Sequence, residues 1–399
     1  MAKKPIVYYG SMIHGQAARF ASLGSKFDEM IKKLDFNTIS KGDKVALKMH
    51  LGFQEDFQTV PVYFVRKIVK AVKDVGGYPF VTDNPTAIYN AVDRGYTSET
   101  CGCPLIPIAG LKDRYVYQSN IEYGGVGEIG FAGVLHDCDV LIEVSHAKGH
   151  GVSGYGGAIK NIAIGGLAAG SRWHKMHGIE NHIPWWDGVK CMPEHAEELV
   201  KVCPSNALRY DAKKHKMAMV WNNCRNSNCM KCMEADKGVG CIEIKAENFQ
   251  TFSKIMAFTA AKVLEGFKPE KRFFFNFLLD ITPQCNCLGM IQPQIVPDIG
   301  VTASKDIVAI EEATLDLIAG ATFLPEMIPL YVGIVNLDKN LHPFQRIWGG
   351  FKNPYDQVMF AEELGLGSRK YRLIEILPPS ETVGMEAPKI KYEDQPTFY

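Results

Sequence analysis

Four cysteines have the spacing that most clearly predicts chemistry in this 399-residue sequence. Cys224, Cys229 and Cys232 follow the pattern Cys-x4-Cys-x2-Cys, and an isolated Cys203-Pro204 precedes them. In two-cluster ferredoxins, each iron–sulfur cluster takes three closely spaced thiolates from one half of the protein and a fourth from the Cys-Pro of the other half. The pattern therefore predicts one 4Fe-4S cluster held by Cys203, Cys224, Cys229 and Cys232.

The half of this arrangement that would hold another cluster has lost its ligands. Counting back from Cys203 by the usual x2, x2, x3 spacing, the expected positions hold residues that cannot bind iron: Pro193, Ala196 and Leu199. Two alternatives stay open. Cys241 could replace Cys203 as the fourth ligand, and zinc could replace the cluster, since thiolate quartets also bind zinc tetrahedrally.

A glycine-rich stretch, residues 149–161, is the second segment of chemical interest. Its five glycines let backbone N–H groups approach a ligand closely, and a helix that starts after it would favour an anion. The stretch carries His150 and Lys160, and Arg172 and His177 follow it. We expect an anionic substrate here, with Lys160 as a solvated cation; the alternative is a glycine-rich turn with solvated charges.

A Cys-x-Cys pair adds a possible second metal. Cys285 and Cys287 follow an apolar run, but two cysteines alone make an incomplete site. Buried free thiols are also common in proteins. The sequence therefore predicts a second metal site only if a further ligand joins this pair.

The elements that must position these residues form an α/β fold. Residues 44–48 alternate as a strand, residues 62–72 repeat apolar side chains at helical spacing, and residues 78–82 form the next strand. Such a unit makes its two strands parallel with a right-handed crossover. We predict a mostly parallel sheet with helices on both faces, with further strands at 140–144 and 273–279 and a late helix after Asp306.

Polar side chains follow these strands at their carboxyl ends, where ligand sites of open parallel sheets lie. His50, Asp83, His146 and Asp280 each follow a different strand. We expect Lys48, Asp83, His146 and Arg172 to bind the substrate there. The chain is predicted to divide into an α/β domain at 1–185, a small ferredoxin-like α+β module at 186–248, and a segment at 249–399 that completes the α/β domain.

Composition excludes several classes of partner. With 44 basic and 44 acidic residues, the sequence offers no electrostatic case for nucleic acid or an anionic membrane as its main partner. No apolar run approaches the roughly 18 residues of a membrane-spanning helix. We read no secretory signal at the amino terminus, and the 11 cysteines suit metal sites rather than disulfides, so we expect a reducing, anaerobic cytoplasm.

The sequence resembles the family catalogued as domain of unknown function 362. The matching phrases are 154–166 with Ala158-Ile159-Lys160-Asn161-Ile162, then 171–177, 280–287, 295–306 and 364–368. The resemblance implies iron–sulfur binding and no particular reaction. Relatives often keep the ligands of two clusters, whereas this chain keeps those of one, which puts a relay between two clusters in doubt.

The sequence is also similar, over a shorter pattern, to the nickel-pincer lactate racemases. The similarity rests on His150-x9-Lys160 followed by His177. It implies that Lys160 attaches the cofactor, His177 binds nickel, and His150 acts as acid or base.

Two classes of function fit these observations. The first is a redox enzyme that acts on a small anionic substrate at the carboxyl edge of the sheet, with Lys160, His150 and His177 as catalytic residues. The second is a ferredoxin-type electron-transfer protein that docks a partner oxidoreductase and has no chemistry of its own. A cluster kept only for structure is a third possibility.

Overall fold

A computed structural model describes residues 4–15, 21–121, 123, 125–177 and 183–377. Its strands are β1 (Ile6–Ser11), β2 (Lys44–Met49), β3 (Tyr78–Asp83), β4 (Leu105–Pro107), β5 (Val116–Ile121), β6 (Gly127–Ala132), β7 (Val140–His146), β8 (Lys148–His150), β9 (Gly154–Gly156), β10 (Leu208–Asp211), β11 (Lys216–Met219), β12 (Arg272–Leu278), β13 (Gly300–Ser304) and β14 (Arg372–Glu375). Its helices are α1 (Leu23–Leu34), α2 (Val62–Asp74), α3 (Pro85–Tyr89), α4 (Ser98–Cys101), α5 (Gly133–His136), α6 (Ala158–Gly165), α7 (Ala169–Ser171), α8 (Pro193–Val202), α9 (Lys231–Ala235), α10 (Ala246–Glu265), α11 (Ile307–Ala319), α12 (Pro343–Trp348) and α13 (Asp356–Glu363).

An eight-stranded sheet forms the centre of the fold, in the order β14-β1-β13-β12-β7-β2-β3-β4. The strands β12, β7, β2, β3 and β4 are successive parallel neighbours. Within this sheet β13 is antiparallel to both of its neighbours, β1 and β12, while β14 pairs parallel with β1. The predicted α/β class with a mostly parallel sheet is therefore confirmed.

Helices cover both faces of the sheet, because alternate residues of each strand are apolar on opposite sides. Val45 and Leu47 of β2 belong to one buried cluster with residues of α1 and α2. Ala46, between them, belongs to the other cluster, which contains residues of α6, α10 and α11. Burial on both faces explains why the central strands are continuous apolar runs. The carboxyl ends of the parallel strands thus remain as the edge where polar groups gather.

The segment between α7 and α10 leaves the sheet and returns to it at nearly the same point. It contains α8, the antiparallel hairpin β10–β11 and α9. Its two ends pair through an isolated antiparallel bridge between Trp186 and Ile242. Asp187 N donates to Cys241 O at 2.8 Å, and Glu243 N donates to Trp185 O at 2.8 Å. Four backbone groups thus hold the entry and the exit of the segment side by side.

Within the described residues, no helix is long and apolar enough to cross a membrane.

Candidate functional site

A cavity of about 350 Å³ lies at the carboxyl edge of the parallel strands. His50 follows β2, Asp83 ends β3, and Cys285 and Cys287 follow β12; all four line the cavity. Because β12, β7, β2 and β3 are parallel neighbours, their carboxyl ends converge on one place. The edge expected to collect polar groups therefore carries a cavity lined by them.

Cationic side chains dominate the wall of this cavity. Lys48, Lys148, Lys160 and Arg172 all line it, and all are buried. Lys48 Nζ lies 3.1 Å from Asp83 Oδ1, so one of these four charges has a carboxylate partner within the cavity wall. Arg172 pairs with Asp113 Oδ2 at 3.4 Å, outside the cavity lining. Burial lowers the pKa of Lys48 and Lys148, so an anion bound in the cavity would stabilise their charged forms.

The environment of Lys160 differs from the one that the sequence predicted. We expected a solvated lysine, but the side chain is only 9% exposed. It lies in the first turn of α6, and its Nζ is 3.5 Å from Cys285 Sγ. Burial opposes the charge of Lys160, yet attraction to the Cys285 and Cys287 sulfurs leaves its pKa above the ordinary value. The expectation of a solvated cation was wrong because the hairpin before α6 covers this turn of the helix.

The predicted histidines His150 and His177 both stack against the ring of Phe252. The ring centroid of Phe252 in α10 is 5.9 Å from that of His150 and 5.5 Å from that of His177. His150 Nδ1 also lies 3.0 Å from Ser153 Oγ. Burial, followed by repulsion from Lys160, lowers the pKa of both imidazoles, that of His177 to about 4. Both histidines are therefore neutral at pH 7 and can accept hydrogen bonds.

Cys285 and Cys287 are free thiols whose Sγ atoms lie 2.7 Å apart. His50 Nε2 is 3.7 Å from Cys285 Sγ. The hydrogen bond from Cys287 holds the pKa of Cys285 well below its usual range, and Lys160 and His50 act in the same direction against burial. The pair therefore loses its first proton more readily at Cys285 than at Cys287.

His146, a predicted substrate ligand, lies beneath the cavity and outside its lining. Both ring nitrogens already have partners: Nδ1 lies 2.9 Å from Asn286 Oδ1, and Nε2 lies 2.8 Å from Leu279 O. Burial lowers the pKa of His146 to about 4. The ring therefore holds the loop that carries Cys285 and Cys287.

The glycine-rich stretch forms a two-stranded hairpin, β8–β9, before α6. Glycine is required where the hairpin turns and where it crosses other backbone. Gly154 has a φ of +76°, and a side chain on Gly149 would collide with the carbonyl oxygen of Pro283. The expected loop is thus a hairpin, whose pairing satisfies backbone groups that a buried loop would leave unpaired.

The four cysteines predicted to hold a cluster line one small cavity of their own. Cys224 is buried, whereas Cys203, Cys229 and Cys232 are half-buried. Backbone N–H groups point at two of the sulfurs: Ala207 N lies 3.2 Å from Cys203 Sγ, and Asn226 N lies 3.3 Å from Cys224 Sγ. The cavity is thus bordered by four thiols together with backbone donors directed at sulfur.

Cys241, the alternative ligand, lies in a different group. Its Sγ donates to Asp236 Oδ1 at 3.1 Å, and His195 Nε2 lies 2.9 Å from the same oxygen. Cys241 does not line the cavity of the four cysteines. The donor atoms of His195, Asp236 and Cys241 are close enough to hold a metal ion, as are those of His50, Cys285 and Cys287.

One loop separates the two cavities. Asn222 lines the larger cavity and Cys224, two residues later, lines the cavity of the four cysteines. The buried ammonium of Lys352 joins both sides, since it donates to Gly151 O at 2.5 Å, to Trp221 O at 2.8 Å and to Cys224 O at 2.7 Å. The larger cavity is thus fastened directly to the loop that carries Cys224.

Sequence reasoning missed several residues that build the site: Lys148, Asn161, Asn222 and Lys352. Lys148 and Asn161 stand next to residues that were identified, so proximity in the sequence could have indicated them. Asn161 Oδ1 accepts from Lys48 Nζ at 2.8 Å, which fixes that ammonium at the cavity floor. Asn222 and Lys352 carried no pattern, since they reach the site only through tertiary packing.

Residues 45–316 match the family described as "Domain of unknown function (DUF362)". The match covers more than half of the chain, so the chain belongs to this family. No curated protein matches the sequence.

Two solved structures share limited likeness with the fold. A structural genomics target from Thermotoga maritima has 11% identity and a TM-score of 0.35 over 66% of this chain and 52% of its own. The lactate racemase apoprotein from Thermoanaerobacterium thermosaccharolyticum has 10% identity and a TM-score of 0.31 over 69% of this chain and 51% of its own. This chain therefore spans about half the length of either structure, and neither likeness indicates its activity.

Proposed function

We propose that this protein is an iron–sulfur redox enzyme that binds one 4Fe-4S cluster and acts on a small anionic substrate. The observation that carries the proposal is the loop shared by the two cavities, with Asn222 on the cationic side and Cys224 on the thiol side. A redox cofactor and its substrate need this proximity, whereas a simple electron carrier has no use for the cationic cavity.

The thiol cavity fits the cluster in its donors and in its surroundings. A 4Fe-4S cluster takes four thiolates and, when bound, exchanges single electrons. Burial raises the pKa of Cys224, and that of Cys232 to about 12, so these thiols would stay protonated without a metal to displace their protons. N–H groups directed at sulfur are among the features that tune the potential of such clusters. Three half-buried cysteines would place one side of the group near an external electron donor.

The residues of the larger cavity would bind and orient the substrate. Lys160 and Arg172 offer charge-assisted hydrogen bonds, which are about twice as strong as neutral ones. His150 and His177 are neutral at pH 7 and would accept hydrogen bonds from the bound molecule. The buried wall excludes water, so these electrostatic contacts are stronger than they would be at the surface.

Anaerobic purification followed by metal and sulfide analysis tests the cluster. We expect about four iron and four sulfide per chain, as one cubane requires. Cys203→Ala should abolish or convert the cluster, whereas the matched variant Cys241→Ala should leave its absorption and EPR signal intact. The reverse result would make Cys241 the fourth ligand, and zinc in place of iron would reject the redox proposal.

A titration with organic acids and phosphoesters tests the enzyme against the electron carrier. A redox enzyme should bind at least one such anion and pass electrons to it when the protein is reduced. If the iron is present and no anion binds, the carrier that docks a partner oxidoreductase becomes the better proposal.

A further inference from the structure

Three atoms that can ligate a transition metal, one imidazole nitrogen and two sulfurs, meet in the wall of the cationic cavity. His50 Nε2, Cys285 Sγ and Cys287 Sγ all lie within 4.8 Å of one another. The residues come from two places far apart in the chain, the end of β2 and the loop after β12, which the parallel sheet makes neighbours through β7. The pair that was incomplete in the sequence thus gains its third ligand from the fold.

The residue between the two cysteines turns both sulfurs toward the cavity. Asn286 is 1% exposed, and its Nδ2 donates to Asp56 Oδ2 at 2.6 Å and to Gln58 O at 2.7 Å. Its Oδ1 faces His146 Nδ1. With Asn286 held inward by these bonds, its two flanking cysteines line the cavity. The fold therefore holds the backbone between the two cysteines, and their side chains would separate from the present Sγ–Sγ distance of 2.7 Å to take a metal ion between them.

The imidazole of His50 is oriented by a carboxylate. Its Nδ1 lies 3.7 Å from Asp83 Oδ2, which leaves Nε2 directed at Cys285. Asp83 is itself fixed, because Leu51 N donates to the same Oδ2 at 2.9 Å and Lys48 Nζ lies 3.1 Å from Oδ1. A carboxylate behind a histidine is the usual second contact of a metal-binding imidazole.

We propose that His50, Cys285 and Cys287 hold a single divalent transition-metal ion with one coordination position open to the cationic cavity. The donor set of one imidazole and two thiolates selects zinc, iron, cobalt or nickel over magnesium and calcium, which take oxygen ligands. Three protein ligands with an open fourth position are the pattern of catalytic rather than structural zinc sites. An oxygen of the anionic substrate would occupy that position, close to Lys160.

This inference deepens the proposed function, since it assigns the substrate's binding point in the same cavity. The metal would act as a Lewis acid on a carboxylate or phosphoryl oxygen, independently of the cluster. The His50 site and the four cluster cysteines share no residue, so each can be removed without the other.

Cobalt(II) titration of the anaerobically reduced, full-length Cys203→Ala/Cys224→Ala/Cys241→Ala variant tests the site, because the cluster cysteines and the His195 group would otherwise bind cobalt as well. We expect one cobalt per chain with the intense visible bands of a tetrahedral, thiolate-bound ion. Cys287→Ser should weaken cobalt binding by at least about a hundredfold, a loss greater than the 10–100-fold effect of second-shell changes. Cys287 is exposed to the cavity, so this variant should fold normally. His50→Ala should weaken binding similarly.

Two controls keep the result decisive. Cys138→Ala removes a buried thiol that does not line the cavity, and it should leave cobalt binding unchanged. The background variant lacks two cluster cysteines and should still bind cobalt at His50, so a missing cluster would reject the proposed function without touching this inference. Equal cobalt affinity with and without Cys287→Ser in this background, or a Cys285–Cys287 disulfide in the anaerobic protein by mass spectrometry, would overturn it.

Discussion

At the scale of single residues, replacing Lys160 tests anion binding and the stability of the fold in one variant. Its ammonium lies 3.5 Å from Cys285 Sγ in the cavity wall. Lys160→Ala should weaken binding of a small carboxylate or phosphate about tenfold or more, since a hydrogen bond to a charged group contributes about 1.5–3 kcal/mol. Because the residue is buried, we also expect a loss of about 1–3 kcal/mol in the free energy of unfolding. Calorimetry and urea unfolding measure the two effects.

Lys26 supplies the matched control for that experiment. It is equally buried, at 3% exposure, and donates to Ser11 O and Ile13 O away from the cavity. Lys26→Ala should lower stability while leaving anion affinity unchanged. Equal affinity in wild type and Lys160→Ala would mean that the cavity does not use this cation.

Glu143 should make the stability of the fold depend on pH. Burial raises its pKa from the ordinary 4.5 to about 8, against hydrogen bonds from Ser145 and Asn161. Among the described residues its Oε2 has no hydrogen-bond partner. The folded chain therefore keeps a proton that the unfolded chain releases, so the free energy of unfolding falls as pH rises between these values. One proton limits the slope to about 1.4 kcal/mol per pH unit.

Glu143→Gln removes this pH dependence without changing the shape of the side chain. Relative to wild type, the variant should gain stability as the pH rises from about 5 to about 8. Histidines that titrate in both proteins cancel in the difference. Urea unfolding at several pH values measures it, and a difference that stays constant over this range would contradict a protonated Glu143.

At the scale of elements, the hairpin β8–β9 depends on the absence of one side chain. The added methyl of Gly149→Ala would meet the carbonyl oxygen of Pro283, which already accepts from Trp348 Nε1 at 2.6 Å. The backbone at Pro283 cannot move aside as a flexible side chain can. We therefore expect Gly149→Ala to lower the free energy of unfolding by about 2–4 kcal/mol, within the range of severe core substitutions. Gly170→Ala, where nothing lies within 4 Å, should be close to neutral by the same thermal unfolding assay.

The helices and strands were largely predictable from the sequence, but the order of the strands in the sheet was not. Strand β2, helix α2 and strand β3 appear where the apolar periodicity placed them, since a buried strand and an amphipathic helix each impose a period on the sequence. The antiparallel strand β13 carries no such signal in its five residues. Strand order is a long-range property, so the meeting of His50 with Cys285, 235 residues away, could not be read from spacing.

The burial of Lys160 could not be predicted from the sequence either. A lysine after glycines suggested a solvated cation, yet packing of the hairpin against α12 and the loop after β12 encloses Lys160. The cysteine pattern was more informative, because ligand spacing is local. It selected four residues that share one cavity and left Cys241 elsewhere.

At the scale of the whole molecule, the net charge is balanced, but basic side chains are concentrated in one cavity. The chain carries 44 basic and 44 acidic residues, yet four buried cations line one cavity. Long-range attraction of anions is therefore weak, and selection takes place at the site through short-range contacts. The four cysteines stand on the other side of the loop from these side chains, so in the proposed enzyme the oxidation state of the cluster and the charge of the substrate would influence one another across it.

The bridge between Trp186 and Ile242 suggests an experiment in which the residues between them are removed from the chain. Because Asp187 and Cys241 already pair as hairpin neighbours, a two-residue Asn-Gly turn could replace Gly188–Gly240 without shifting any strand of the sheet. Lys352 would lose its acceptors at Trp221 and Cys224, so the shortened chain needs Lys352→Met as well. The chain would also lose the hydrogen bonds that Asn226 and Asn228 donate to residues 345–348, so it should have a lower free energy of unfolding than the full chain. We expect it to fold, to lack iron and to retain cobalt at His50, as circular dichroism and metal analysis would show; aggregation would mean that the excised piece belongs to the folding nucleus. The segment proposed to hold the cluster would then be separable from the host sheet, which would keep its strand register without it.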